Sequence, residues 1–420
     1  MIICCSFQLN PTQEETRNAD NGDGDRLSKL PNDLLLNILE RVDTLDAIRA
    51  CVLSRQMLKL PAMLSQLFLS AGSIPGRHDK ARVFSLREFL QINRAVAHVT
   101  DNILSTRCPD ITITKLKIRF VLTQHDSPTI CRSVARAMSA QKVAAAEFQI
   151  TTEKARKICS FADFLRFGKQ FNDLIGACPD AFVGLRHLWL RNMRFGEHDI
   201  PSILSTCKLL ESFCLTDCDS AIYFVLQVEH AQLVEFVVDR GKFERIELTY
   251  LPKLQRNCYN SWYSYEDFLY FLFVPQLSKL TLMKSAGRLQ KTLELSQLLA
   301  NVPSVSDLHL DFASEKIWVL PKSPKLLTPV LSKLQRVNLG HLSEGSDLAW
   351  TMFILEAASS LKELCIRVWD HWCKKVTDKE LRKKYGLCEK AEVKWKPYAP
   401  DFKHKNLAKL TVGVKTGRSR

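Results

Sequence analysis

Asp370-His371-Trp372-Cys373 places a carboxylate, an imidazole and a thiol within four residues, the types used in acid–base and nucleophilic chemistry. The spacing works against that use. Adjacent positions on a strand or helix project in different directions and do not converge on one reacting atom, so a structural histidine beside an aromatic ring is the better reading. Cys214 and Cys218 are the next candidates, but no C-x-x-C occurs and no second ligand pair follows at zinc spacing. A RING-type zinc module is therefore excluded from these 420 residues. The chain also lacks G-x-x-x-x-G-K-[ST], G-x-S-x-G, H-E-x-x-H and G-x-G-x-x-G; Gly22 and Gly24 sit in a polar leader and read as linker. The 14 cysteines are scattered among apolar segments, as at Cys159, Cys178, Cys365 and Cys388, which favours reduced, buried thiols over disulfides. The expectation is a chain that binds rather than reacts, with no catalytic residue, cofactor or metal.

Charge narrows the kind of partner. Of the net +14, +10 falls between Lys374 and Arg420, where 15 Lys and Arg face 5 Asp and Glu. A basic stretch attracts nucleic acid or acidic partners. Here no aromatic-interleaved basic motif accompanies it, so a solvated face is expected and nucleic-acid binding is not. Residues 1–24, which include NADNGDGD, read as a flexible leader, and MIICCSF is too short for a signal peptide. No stretch approaches the roughly 20 apolar residues of a membrane span, so a soluble protein of nucleus or cytoplasm is expected.

Binding requires elements to carry it, and the clearest are helical. In Asp25–Met63, Leu30-Pro31 suits a helix start, because proline's fixed φ fits the first turn and its missing N–H costs nothing there. Leu34, Leu35, Ile38, Leu39 and Val42 gather into one apolar stripe. A second helix follows, with Thr44 as expected N-cap, Asp46 in its first turn and Ile48, Cys51, Val52 and Leu53 on its apolar face. Pro61 interrupts a third helical stretch. So few residues bury too little surface to stand alone, and their apolar face must be completed by the rest of the chain or by another protein.

These residues resemble the F-box, whose pattern is matched by Leu30, Pro31, Asp33, Leu34, Leu35, Ile38, Leu39, Asp46, Leu53, Ser54 and Arg55. Met57 stands where that family usually has Trp. The resemblance implies docking on a Skp-type adaptor, and through it a cullin–RING ubiquitin ligase, by way of Leu30, Pro31, Leu34, Leu35, Ile38, Val42, Ile48, Val52 and Met57.

Beyond residue 110 the triplet apolar-x-x-apolar-x-apolar recurs. Its third positions fall at 190, 215, 238, 282, 310, 339 and 366, with looser members ending at Ile118, Ile150, Leu248 and Val412. The steps of 25, 23, 44, 28, 29 and 27 fit leucine-rich repeats of about 20–29 residues if the 44 contains an insertion. Helical runs such as Leu293–Ala300 and Ala349–Ala358 fill the gaps. The expected fold class is therefore α/β: a helical F-box followed by a solenoid of strand–turn–helix repeats, with another layered α/β domain as the alternative. Such a solenoid presents a concave strand surface suited to binding. Candidates for target contact are Trp189, Arg191 and His309, with neighbours Arg186, His187, Asp307 and Asp311, and the aromatic cluster Trp262, Tyr263 and Tyr265 in the expected insertion.

A second resemblance covers the end of the chain. VKWKPYAPDFKHKNLAKLTVGV, residues 393–414, is similar to the start of the FBD segment that closes many plant F-box/leucine-rich-repeat proteins, with Trp395, Phe402, His404, Asn406, Leu407, Leu410 and Gly413 matching. EKIWVLP (315–321) and LKELCIRVWDHWC (361–373) are similar to other stretches of that family. The expected organisation is a leader over 1–24, an F-box over 25–70, a helical linker over 71–110, repeats over 111–373, and a basic, truncated FBD-like segment over 374–420 that leaves the last repeat uncapped. The function the resemblance implies is a non-catalytic substrate receptor of an SCF-type ubiquitin ligase; a repeat scaffold without ligase function is the alternative.

Overall fold

In the computed structural model the apolar triplets become strands. The structure describes residues 30–42, 44–52, 54, 57–70, 86–107, 111–220, 224–260, 269–283, 293–314, 317–320, 324–342, 348, 351–369, 378, 380–381 and 402–414. Among these, twelve strands form one parallel sheet in which each is bonded to the next in chain order. They are β1 (Gln66–Ser70), β2 (Lys115–Val121), β3 (Ala146–Thr151), β4 (Leu185–Arg191), β5 (Ser212–Thr216) and β6 (Glu235–Asp239). There follow β7 (Arg256–Asn260), β8 (Lys279–Met283), β9 (Asp307–Asp311), β10 (Arg336–Leu342), β11 (Glu363–Val368) and β12 (Lys409–Val414).

The triplet explains the burial. Alternate strand positions face opposite sides, so its second and third residues enter the core while the residues between them face outward. Leu188 and Leu190, Phe213 and Leu215, and Phe236 and Val238 are all buried. Register sets Leu188 beside Phe213 and Phe213 beside Phe236. The Phe213 and Phe236 rings stack with centroids 5.9 Å apart, and Phe236 meets Tyr259 edge-on at 6.1 Å. Each buried side chain contributes about 1.5–3 kcal/mol, and much of its cover comes from the neighbouring repeats.

The turn after each strand has its own rule. Asn192, Asp217 and Arg240 adopt φ of 58°, 54° and 51°, and their N–H groups donate to Thr216, Asp239 and Asn260 carbonyls at 3.1, 2.8 and 2.7 Å. Asn and Asp tolerate this left-handed conformation; arginine does so at a cost of about 1–2 kcal/mol, offset here by ion pairs of its side chain.

Two repeats escape the triplet rule. β1 buries Leu64, Leu67 and Leu69 within the stretch assigned to the F-box. β7 uses Leu254, Asn257 and Tyr259, so the 44-residue step divides into 21 and 23 and no insertion separates those repeats. Its polar middle residue hid it. The Asn257 Nδ2 donates to the Phe236 carbonyl at 3.2 Å. The Phe243/Ile246/Leu248 triplet, by contrast, lies in a separate three-stranded parallel sheet of Val225–Glu229, Arg245–Tyr250 and Leu269–Phe273.

That small sheet also departs from the strand–turn–helix expectation. Connections of 16–18 residues join β5 to β6, β6 to β7 and β7 to β8. An extended strand covers over 3 Å per residue against 1.5 Å for a helix, so strands return the chain over the outer side in fewer residues. Longer connections carry helices: α3 (Leu86–Thr106), α4 (Asp126–Ser139) and α5 (Phe161–Ala177). α5 starts on a capping box, with Asp163 N donating to Ser160 Oγ at 3.2 Å and Ser160 N to Asp163 Oδ2 at 2.9 Å. The helical run expected at 293–300 shrinks to Leu295–Leu298, and that at 349–358 appears as Thr351–Ala357.

At the amino-terminal side, α1 (Asn32–Leu39), α2 (Thr44–Val52) and a 3₁₀ turn at Met57–Met63 pack on the first strand. Leu35, Leu39, Ala47, Cys51, Met57 and Leu60 join the same buried cluster as the sheet. Glu40 Oε1 accepts from Ser65 N and Oγ at 2.7 and 2.6 Å, and Thr44 Oγ1 accepts from Phe68 N at 2.7 Å. Thr44, expected as an N-cap, is the first residue of α2 and bonds β1 with its side chain, and the helical unit covers the sheet's first edge. At the other edge, β12 comes from the FBD-like stretch and pairs with β11 through Leu364↔Leu410 and Ile366↔Val412. Leu410 and Val412 remain more than half exposed.

Candidate functional site

α1 divides its apolar residues between two sides. Pro31 is its N-cap, and its carbonyl accepts from Leu34 N and Leu35 N, both at 3.1 Å. Leu35 and Leu39 are 1% and 4% exposed in the core, whereas Leu34, Ile38 and Val42 are 52%, 44% and 47% exposed. Steps of four place those three in one line along the helix and just past its end. Pro31 is exposed; Leu30 and Ile48 are half-buried. The Val52 side chain lies outside the described part. Met57, expected on the docking face, points inward at 5% exposure, as does Leu35, because both fill the space between the helices and β1. The sequence reading passed over Leu58 and Met63, two exposed apolar side chains of the 3₁₀ turn.

On the outward sheet face, charged residues near several strand starts pair with opposite charges on the neighbouring repeat. Lys115 pairs with Glu147 at 3.0 Å, Arg256 with Glu235 at 3.1 Å and Arg336 with Asp307 at 2.9 Å. Arg186 pairs with Glu211.

One region breaks this pattern. Asp217, buried in its left-handed turn, receives Arg240 through Nε at 2.7 Å and Nη2 at 3.2 Å, and Arg191 Nε at 3.2 Å. Arg156 Nε lies 3.6 Å from the same carboxylate, and its Nη1 donates to the Asp217 carbonyl at 3.0 Å. Burial opposes ionisation of Asp217, but the Arg240 hydrogen bond and the fields of all three arginines outweigh it and hold its carboxyl below the usual range. Trp189 is fixed by Nε1–H donation to Thr216 Oγ1 at 2.7 Å, and the Arg119 guanidinium lies 5.2 Å from the indole centroid. Trp189 and Arg191 therefore come together as expected from their alternation. Arg119, Arg156, Arg240 and Asp217 were missed. Arg119 stands one residue past a triplet, as Arg191 does, and Asp217 and Arg240 stand two residues past theirs in equivalent left-handed turns, whereas Arg156 comes from a 3₁₀ turn with no repeat signal.

His309 belongs to a different neighbourhood. His341 Nδ1 lies 2.6 Å from Asp311 Oδ2, and His309 Nε2 lies 4.0 Å from that oxygen. Asp311, expected to face outward, is buried and also accepts from Ala313 N at 2.9 Å. Burial lowers the His309 pKa, against the raising field of Asp311. Trp262, Tyr263 and Tyr265, like Asp370, His371 and Cys373, fall outside the described residues.

Among the described residues no group of three or more His, Cys, Asp or Glu is arranged to hold a metal ion. The nine described cysteines are free thiols, and no described helix is long and apolar enough to cross a membrane.

Comparison with known families places two domains on the chain. The F-box domain matches residues 27–65. The family described as "FBD-associated F-box protein At5g56370, LRR repeats" matches residues 140–268. No curated protein matches the chain. Among solved structures it is similar to a chain in the crystal structure of a TLR13–ssRNA13 complex, with 13% identity and a TM-score of 0.26. That match covers 63% of this chain and 44% of the other, so the chain spans less than half of that protein's length.

Proposed function

We propose that this F-box/leucine-rich-repeat chain is the substrate-recognition subunit of an SCF-type ubiquitin ligase, its F-box docking a Skp-type adaptor and its repeat sheet holding the target. The observation that carries the reading is the exposed line Leu34, Ile38 and Val42, set on the F-box-matched segment opposite the buried Leu35 and Leu39. An amphipathic helix with its inner face already satisfied has its outer apolar residues free for a partner groove. Pro31 and the half-buried Leu30 and Ile48 extend that face; Leu58 and Met63 add apolar surface from the 3₁₀ turn.

In this role no residue of the chain reacts. Holding a target lysine near the charged conjugating enzyme raises its effective concentration, and positioning alone accelerates transfer. The long sheet suits that task, because its outward residues are fixed by the repeat register.

The test is capture of a purified Skp-type adaptor by the full chain and by its Leu34→Asp/Ile38→Asp variant. Wild-type binding with loss in the variant is the expected result. Adaptor binding that survives both charges unchanged assigns docking elsewhere, and a folded wild-type chain that captures no adaptor leaves the scaffold reading. Met57, where the F-box pattern has Trp, is the residue that would favour that second reading, although its side chain points into this chain's own core.

A further inference from the structure

Resting on the reading that the repeat sheet holds a target, we infer that Arg119, Arg191 and Trp189 form an oxyanion-binding site for a carboxylate or phosphate monoester side chain on an extended segment of that target.

The argument begins with charge balance. Three guanidinium groups, those of Arg156, Arg191 and Arg240, gather around Asp217 and Asp239, and a fourth, that of Arg119, lies close enough to Arg191 to feel its charge. Asp217 is fully engaged, since Arg240 and Arg191 occupy its two oxygens. Asp239 lies 3.0 Å from Arg240 Nη1. Nothing among the described residues is left for Arg119. Its Nε is buried with no hydrogen-bond partner, and its guanidinium lies over the face of Trp189.

A guanidinium N–H stripped of water and given no acceptor is unfavourable, and here a second arginine adds to the cost. Burial lowers the Arg119 pKa, and the field of Arg191 lowers it further. An oxyanion between the two relieves both effects, because the fork of N–H donors on arginine matches the paired oxygens of a carboxylate or phosphate. Lys115, Arg256 and Arg336 on the same sheet face each have a carboxylate within 3.1 Å, unlike Arg119.

The geometry is also prepared. Arg119 and Arg191 project from β2 and β4 at outward positions, and Trp189 comes two residues before Arg191 on the same strand. The indole cannot rotate without losing its bond to Thr216, and Asp217 holds Arg191 by Nε. An anion arriving here meets donors already in place, next to an aromatic face on which an adjoining side chain can pack.

The experiment measures fluorescence anisotropy of short dye-labelled peptides on the full chain. Three peptides are compared, with a central run of glutamates, a central phosphoserine, or glutamines at the same positions. The site is supported if an anionic peptide binds about tenfold or more tighter than the glutamine peptide, with affinity falling as sodium chloride is raised. Preference for the glutamate or the phosphoserine peptide identifies the oxyanion source. Arg119→Gln should lower that affinity about tenfold, and Arg119→Lys, which keeps the charge without the fork, should fall between. Thermal unfolding of both variants checks that they fold. Equal binding of glutamine and anionic peptides overturns the inference, as does wild-type affinity in a folded Arg119→Gln. Adaptor capture by the same preparation is read separately: peptide failure with adaptor capture intact removes the site alone, and adaptor failure with peptide binding intact removes the ligase reading alone.

Discussion

A Cβ on Gly168 of α5 would stand 1.9 Å from the carbonyl oxygen of Arg194 and 3.0 Å from its carbonyl carbon. Helix and backbone meet there with no room for a side chain, and the obstacle is main chain that cannot swing aside. Arg194 is itself held by two 2.7 Å bonds to Asp219 and by its guanidinium lying 3.6 Å from the centroid of the Phe161 ring. Gly168→Ala should therefore destabilise the fold by about 3 kcal/mol or more. Urea unfolding measures it, and a loss under about 1 kcal/mol would show that α5 can shift outward cheaply.

Leu34 and Leu35 are neighbours in sequence with opposite roles. Leu35→Ala empties a fully packed site and should cost about 2–5 kcal/mol. Leu34→Ala removes an exposed side chain and should stay within about 0.5 kcal/mol. The pair is read by thermal unfolding of the isolated full chain, and equal losses would contradict the two-sided helix.

Acid should weaken the fold beginning near neutral pH. His230 is buried, with Nε2 3.0 Å from the Cys207 carbonyl and Nδ1 accepting from Gln232 N at 3.2 Å, which together require the neutral ring. Burial lowers its pKa, as it does that of His309. The unfolded chain takes up these protons near pH 6.5 and the folded chain resists them, so stability is full above about 6.5 and falls as pH drops below it. Urea midpoints taken across this range should decline, and His230→Gln should flatten the decline.

Cys214 and Cys258 lie on the outward face of the sheet and are only half-buried, yet they should react slowly. Burial is the largest cause of their raised pKa values, pushed up to about 12 and 11. Only the thiolate attacks an alkylating reagent, and little of it exists at pH 8. Iodoacetamide followed by mass spectrometry should label both far faster in urea than in the native chain.

Much of the plan was readable from local pattern. The triplet places its second and third residues on one face of a strand by the geometry of the extended chain alone, so β4, β5, β6, β8, β9, β10 and β11 follow from spacing. The F-box helices follow from Pro31, the apolar stripe and Asp46. β1 and β7 did not follow, the latter because an asparagine whose Nδ2 bonds a neighbouring carbonyl stands at its middle position. The sequence also offered no reason for strands to replace helices between β5 and β8, which the short connections impose.

The sequence by itself determined that a helical segment precedes a stack of strand repeats, because period-2 and period-3.6 burial are properties of the local backbone. Only the tertiary structure decided which side of α1 stays open, since Leu34 and Leu35 differ solely in what lies against them. It also decided that Arg156, Arg191 and Arg240, up to 84 residues apart, meet around Asp217, with Arg119 over the Trp189 ring beside them. Contacts between repeats depend on the register of whole strands, and these charges come from different repeats, so that meeting exists only once the strands have paired.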